Sequence, residues 1–274
     1  MDLKTLISKA LEEDVGSGDL TTNLTVDKTA SGTARVISRS DGVLSGLSPF
    51  TEVFRQLDSG LTVTCLFHDG HSFDKGDVIC ELSGPIASIL TGERTALNFL
   101  GRLSGIATLT RRYVDEVEGT KAVILDTRKT TPLLRSLEKA AVRHGGGDNH
   151  RAGLYDMILI KDNHEYAAGG VGTALSRVTN GLDRDVKVEV EVQTVAQLDE
   201  VMKFKVDRIL LDNFTPDMIR AAVAKVNDRV PIEVSGGISL ENVRQIALSG
   251  VDFISVGALT HSAPSVDFTL LLKK

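Results

Sequence analysis

The sequence predicts an α/β protein in two parts, an N-terminal antiparallel β-rich domain followed by an incomplete parallel α/β barrel. Two patterns carry that prediction. Short alternating runs separated by Gly and Asp-Gly turns fill 33–82, as paired antiparallel strands require. Further along, apolar β-branched runs begin at Ala122, Met157, Val186, Arg208, Pro231 and Phe253, at intervals of 35, 29, 22, 23 and 22 residues. Strand then helix, repeated at such spacing, builds a parallel sheet. Six runs fall short of the roughly eight strands of a closed barrel, so an irregular one is expected.

The early runs are TARVIS, LTVTCLF and DVICEL. Between them HDGHSFDKGD reads as turns, with Asp-Gly and Lys-Gly at the bends, in preference to a metal cluster of His68, Asp69 and His71. Cys65 and Cys80 make no CxxC motif and lie in apolar stretches, so they are expected simply to pack. A helical stretch covers about 86–118, with Leu90, Leu97, Leu100, Leu103, Ile106 and Leu109 at mixed three and four spacing. Gly101 and Gly105 argue against one straight rod. The expected division is 1–112, with this bridging helix, and 113–274, whose C-terminal tail is free to pack back on the first domain. Among the later helices, Thr194 with Gln197 makes a capping box, and Thr215 caps a helix opening at Pro216. Ser239 opens another that Gly250 closes.

Composition narrows the function. The chain has 274 residues and a net charge of −6, with 11 Lys+Arg against 17 Asp+Glu in 1–120 and 20 of each thereafter. No apolar run approaches the roughly 18 residues that cross a bilayer, and MDLKTLISKALEED lacks a signal's apolar stretch. An acidic chain with three Tyr, nine Phe and no Trp is a poor nucleic-acid binder. A soluble cytoplasmic protein is the expectation.

Barrel chemistry collects at the C-terminal ends of strands. Here the runs end in Asp126-Thr127-Arg128-Lys129, Lys161-Asp162-Asn163-His164, Glu191, Asp212-Asn213, Ser235-Gly236-Gly237 and Ser255-Val256-Gly257. The segment 128–164 is locally basic, with Arg128, Lys129, Arg135, Lys139, Arg143, Arg151 and Lys161 against four acids. Arginine forks and lysine charges at strand ends suit a ligand with more than one negative group. In VKVEVEV alternation puts Lys187, Glu189 and Glu191 on one side. Buried charge must be paired or bound to a cation, and Lys187 and Glu189 could satisfy each other. That leaves Glu191, with Asp212, for a ligand or a Mg²⁺ shared with phosphate. The glycine turns after the last two strands could cradle a phosphate on backbone N–H groups.

Together these residues resemble the quinolinate phosphoribosyltransferases, almost end to end. The resemblance rests on EDVGSGDLTT, GERTALNFLGRLSGIAT, DTRKTTP, EKAAVRHGGGDNHR, LIKDNH, EVEV, LLDN, SGGI and SVGALTHS. Two positions depart from the family pattern, Leu133 where Gly is usual and Ala140 where an aromatic or Lys is frequent. Neither is a ligand position, so activity is expected to survive local repacking. The resemblance implies an open-faced α/β sandwich followed by an incomplete α/β barrel. It also implies Mg²⁺-dependent joining of quinolinate to 5-phosphoribosyl 1-pyrophosphate, giving nicotinate mononucleotide, pyrophosphate and carbon dioxide. Thr127, Arg128, His150, Arg151 and Lys161 would hold the dicarboxylate. Lys129, Glu191 and Asp212 would serve the donor and its metal, and be catalytic. Ser235, Gly236, Gly237, Ser255, Val256 and Gly257 would bind the donor, chiefly its 5-phosphate. Arg94 would enter the neighbouring subunit's site in a homodimer.

Alternatives remain at the level of sequence. A paralogous phosphoribosyltransferase for another ring acid would share most motifs, although the intact NHR and KDNH argue against it. A Schiff-base aldolase could use Lys161 or Lys129 and would be trapped by borohydride. A metabolite sensor could lose Glu191 or Asp212, and both are present.

Overall fold

Alternation in the first third of the chain becomes antiparallel sheet in the computed structural model, which describes residues 1–181 and 186–273. In chain order come α1 (Leu3–Val15), α2 (Leu20–Thr25), β1 (Ser31–Ser38), β2 (Gly42–Val43), α3 (Leu47–Leu57), β3 (Thr62–Cys65), β4 (Ser72–Phe73), β5 (Val78–Pro85) and α4 (Ile86–Glu116). There follow β6 (Val123–Leu125), α5 (Arg135–His144), β7 (Ile158–Ile160), α6 (Asp162–Ala168), α7 (Val171–Gly181), β8 (Val188–Val192) and α8 (Val195–Val201). The chain then forms β9 (Arg208–Asp212), α9 (Pro216–Val226), β10 (Ile232–Ser235), α10 (Val243–Ala247), β11 (Phe253–Ser255), α11 (Ala258–His261) and β12 (Phe268–Leu272).

Two compact units result. The first comprises 1–111, 130–146 and the residues from 260 onward, and the second comprises 112–129 and 147–259. A single cut at 112 leaves out the return of α5, whereas the tail that carries β12 is the one expected to be free to pack back; both α5 and β12 pack with the first unit. Its sheet has the order β12-β1-β5-β3, with β1 antiparallel to both neighbours. The apolar side of α3 supplies Phe50, Val53 and Phe54 to a core shared with Ile7, Val36, Ile79, Leu82 and Leu100. Phe50 and Phe54 meet edge to face at 5.2 Å between centroids. Each such buried ring contributes roughly 1.5–3 kcal/mol by burial.

Helix α4 is continuous for 31 residues, matching the helical stretch expected over 86–118, with Gly101 and Gly105 inside it. The glycines have another use. A Cβ at Gly101 would stand 2.7 Å from the Val266 carbonyl oxygen, and one at Gly105 would stand 2.1 Å from that of Pro264. The tail backbone lies directly on the helix there, and Val266 N–H donates to the Gly101 carbonyl at 3.0 Å.

The second unit is a six-stranded sheet of order β6-β11-β10-β9-β8-β7, with every neighbouring pair parallel. This is the barrel order with the β6–β7 junction unpaired, so the barrel is incomplete. Thr194 and Gln197 form their capping box, and Thr215 caps α9 with Pro216 at its first position. Ser239 does not open a helix. Its N–H donates to Asn242 Oδ1 at 2.9 Å, and α10 starts only at Val243.

Candidate active site

The carboxyl ends of all six parallel strands line one cleft of about 840 Å³ in the second unit. Its walls include Thr127, Arg128 and Lys129 after β6, Lys161 after β7, Glu191 of β8, Asp212 of β9, Ser235-Gly236-Gly237 after β10, and Ser255 and Gly257 at β11. His150 and Arg151 join them from the loop before β7. Buried Asp126 fixes that loop by accepting the His150 N–H at 2.9 Å and Asn149 Nδ2 at 2.6 Å. Arg151 Nη1 donates to the Met157 carbonyl at 3.1 Å. Burial and the neighbouring Arg128 charge pull the Arg151 guanidinium below the ordinary arginine range, an environment that an anionic ligand would relieve.

The same cleft holds acids. The ammonium of Lys161 is hydrogen-bonded to Glu191 Oε2, so the two residues form one unit. Asp212 Oδ1 accepts the Ser235 hydroxyl at 3.0 Å, and its Oδ2 accepts Asn213 Nδ2 at 2.8 Å. Gly236 and Gly237 both have left-handed φ, +88° and +62°, as does Asn213 at +56°. A Cβ on Gly236 would lie 2.1 Å from Asn213 Oδ1, whereas around Gly237 there is open space. The turn thus exposes bare backbone to the cleft, which is how N–H groups approach a phosphate.

Two expectations, on Lys187 and Val256, need correction. Lys187 is exposed and outside β8, and the charges that act on buried Glu189 include His150, with Nε2 at 3.0 Å from Glu189 Oε2, Arg208, Lys161 and Arg151. Val256 is 1% exposed, does not line the cleft, and donates its N–H to the Leu125 carbonyl at 2.9 Å. That amide cannot also serve a phosphate. The hydroxyl of Ser255 donates inward to Glu233 Oε1, although the residue does line the cleft.

These inward bonds reveal a charged layer beneath the cleft that sequence reading missed. Glu233 is fully buried and takes Arg208 Nη1 at 2.5 Å on Oε2, while His150 Nε2 stands 3.5 Å from its Oε1. The Arg208 guanidinium also covers the Phe253 ring at 3.9 Å. His150 Nδ1 accepts the Arg151 N–H at 2.7 Å, so the ring proton belongs on Nε2, toward the acids. His150 therefore ties the layer to Arg151. A single Glu inside the apolar run PIEVS was the available signal, since a charge in a buried strand demands a partner.

Arg94 is not part of this cleft. It is an exposed residue of α4 in the first unit, beside a surface hollow with Asn98, Val266 and Asp267.

The chain matches two family models, "Quinolinate phosphoribosyl transferase, N-terminal domain" over residues 19–104 and "C-terminal domain" over 106–271. It is 42% identical over 270 residues to a probable nicotinate-nucleotide pyrophosphorylase [carboxylating] of Bacillus subtilis, covering 98% of this chain and 93% of that protein. A quinolinate phosphoribosyltransferase [decarboxylating] of Nicotiana tabacum is 40% identical over 288 residues, covering 98% of this chain and 82% of that protein. Among solved structures, the nicotinate-nucleotide pyrophosphorylase from Francisella tularensis superposes with a TM-score of 0.93 at 40% identity, covering 99% of this chain and 96% of that one.

Proposed function

The chain belongs to the quinolinate phosphoribosyl transferase family, and from that membership we infer that it transfers phosphoribose from 5-phosphoribosyl 1-pyrophosphate to quinolinate with decarboxylation. The products are nicotinate mononucleotide, pyrophosphate and carbon dioxide, a step of NAD biosynthesis. One observation carries the reading. Arg128, Lys129, Arg151 and Lys161 line a single cleft at the strand ends together with Glu191, Asp212 and a glycine turn.

The chemistry follows from that division. Arg128, Arg151 and Lys161 suit the two ring carboxylates, with Thr127 and His150 alongside. The ring nitrogen is itself the nucleophile, so no activated Ser or Cys is needed. As the bond from ribose C1 to pyrophosphate breaks, positive charge grows on the sugar, and Glu191 and Asp212 are placed to stabilise it. Lys129 meets the leaving pyrophosphate, and Ser235, Gly236, Gly237 and Gly257 the 5-phosphate. After transfer the ring nitrogen is cationic and serves as the electron sink for loss of carbon dioxide.

Glu191 and Asp212 offer hard carboxylate oxygens, which fit Mg²⁺. They would hold it directly or through water, where it would neutralise charge on the donor's phosphates. We further read the protein as a homodimer or larger homo-oligomer in which Arg94 reaches the partner's site. Among the described residues no helix is long and apolar enough to cross a membrane, and a cytoplasmic location is proposed with the function.

The test is release of labelled carbon dioxide from carboxyl-labelled quinolinate. Release that requires the phosphoribosyl donor supports the reading. Release without it, or none with it, overturns it.

A further inference from the structure

We propose that Cys65 and Cys80 are a dithiol site that a small-molecule disulfide oxidises to an intramolecular disulfide, stapling β3 to β5. The two are the only cysteines in the chain, and nothing in their spacing of 15 residues suggests a motif. The sheet brings them together. Cys65 and Cys80 are direct cross-strand partners in the antiparallel β3–β5 pair, and their sulfurs stand 3.4 Å apart as free thiols.

Register decides whether such a pair can be bridged. The Leu66 N–H donates to the Ile79 carbonyl at 2.9 Å, one residue beyond the pair on each strand. This makes Cys65 and Cys80 a non-hydrogen-bonded pair, the kind whose Cα atoms approach to about 4.5 Å. That separation lies inside the range of roughly 4.4–6.8 Å that a disulfide spans, so the backbone need not move.

The sulfurs are unequal in a way that gives the reaction an order. Cys80 is fully buried between β1 and β3, while Cys65 is partly exposed on the edge strand β3. The Cys80 thiol donates its hydrogen bond to Cys65 sulfur, and this lowers Cys65 to about 7 against the opposing effect of burial. The same bond and its own burial push Cys80 up. Cys65, packed against the same core but the less buried of the two, is thus the nucleophile and Cys80 the resolving thiol.

With oxidised glutathione as oxidant, Cys65 thiolate attacks one glutathione sulfur. A Cys65–glutathione bond forms and the first glutathione thiolate leaves. Cys80 gives up its proton, attacks the Cys65 sulfur and expels the second glutathione thiolate. The protein loses two electrons and two protons, and one glutathione disulfide becomes two glutathione thiols. The bridge closes the 66–79 excursion, which carries β4 and its pairing with β2.

The folded protein is incubated with oxidised glutathione, quenched with a maleimide under denaturing conditions, and weighed intact and after digestion. The expected product is a monomer two hydrogens lighter that takes no maleimide and yields a Cys65–Cys80 cross-linked peptide. Cys80→Ala should instead hold a stable glutathione adduct on Cys65. Two maleimides on the wild type after oxidation, a lasting glutathione adduct on it, or a disulfide between two chains would overturn the proposal. The wild-type mass decides the matter even should the variant fold poorly.

Discussion

Lys161 and Glu191 hold each other across adjacent strand ends, β7 and β8. The proposed dicarboxylate clamp and the proposed metal side of the site therefore share a bond. Lys161→Ala should weaken quinolinate binding by about 2–5 kcal/mol, and it should also disturb the Mg²⁺ dependence. Glu191→Gln should reduce turnover strongly. A double-mutant cycle on quinolinate affinity should give a coupling of about 1–3 kcal/mol, and strict additivity would show the two groups to act separately.

The glycine turn separates steric need from ligand need. Gly236→Ala places a methyl 2.1 Å from Asn213 Oδ1 and should both destabilise the fold and raise KM for the phosphoribosyl donor. Gly237→Ala meets no neighbour within 4 Å and should cost only about 1–2 kcal/mol of left-handed strain. Its methyl enters the cleft, so donor KM should still rise about tenfold, some 1.4 kcal/mol. An unchanged donor KM in Gly237→Ala would remove the phosphate cradle.

Leu133 holds φ at +68° and is 72% exposed, so its side chain gains little from packing and strains the backbone. That strain accounts physically for the glycine the family pattern places there. Leu133→Gly should raise stability in urea unfolding by up to about 1 kcal/mol, with activity kept. A loss of stability would mean that the leucine makes compensating contacts.

Burial, reinforced by Glu189 alongside, raises the Glu233 carboxyl to about 7, against His150, Arg208 and the Ser255 hydroxyl. A raised carboxyl means that the native state holds the proton more tightly than the unfolded chain. Its contribution is fully present below pH 4.5, falls as pH rises toward 7 and is flat above. The total is on the order of 3 kcal/mol. Urea unfolding between pH 5 and 8 should show a steeper decline in the wild type than in Glu233→Gln. Parallel curves would place this proton elsewhere.

Arg94→Ala and Lys161→Ala should each be nearly inactive alone. In a mixed population with subunit exchange, about half the dimers pair one of each, and one of their two sites keeps both residues. About a quarter of wild-type site activity should return. No recovery, with exchange verified, would return Arg94 to the surface of its own subunit.

Much of this was legible because parallel strands buried on both faces advertise themselves as β-branched runs. The runs at 122, 157, 186, 208, 231 and 253 each hold one strand of the six-stranded sheet. Polar residues at their ends marked the cleft for the same reason. What stayed hidden depends on register and on returning chain. The neighbours of Glu189 and Glu233 come from β9, β11 and the 148–151 loop, so adjacent Lys187 was a false partner. The Val256 amide had its acceptor on β6, more than a hundred residues earlier. Cys65 and Cys80 look unremarkable until β3 and β5 are aligned.

The place of β12 bears on how the molecule is made. Strand β1 needs β12 along one edge, and β12 follows the whole six-stranded sheet in the chain. During synthesis the second unit can close on residues already made, while the first waits for 268–272. Until they emerge, β1 offers an open row of amides and carbonyls to any passing strand, the exposure that favours mispairing. A nascent chain thus completes its first-begun sheet only after the six-stranded one, and a delay over the codons for 268–272 would lengthen its most vulnerable interval.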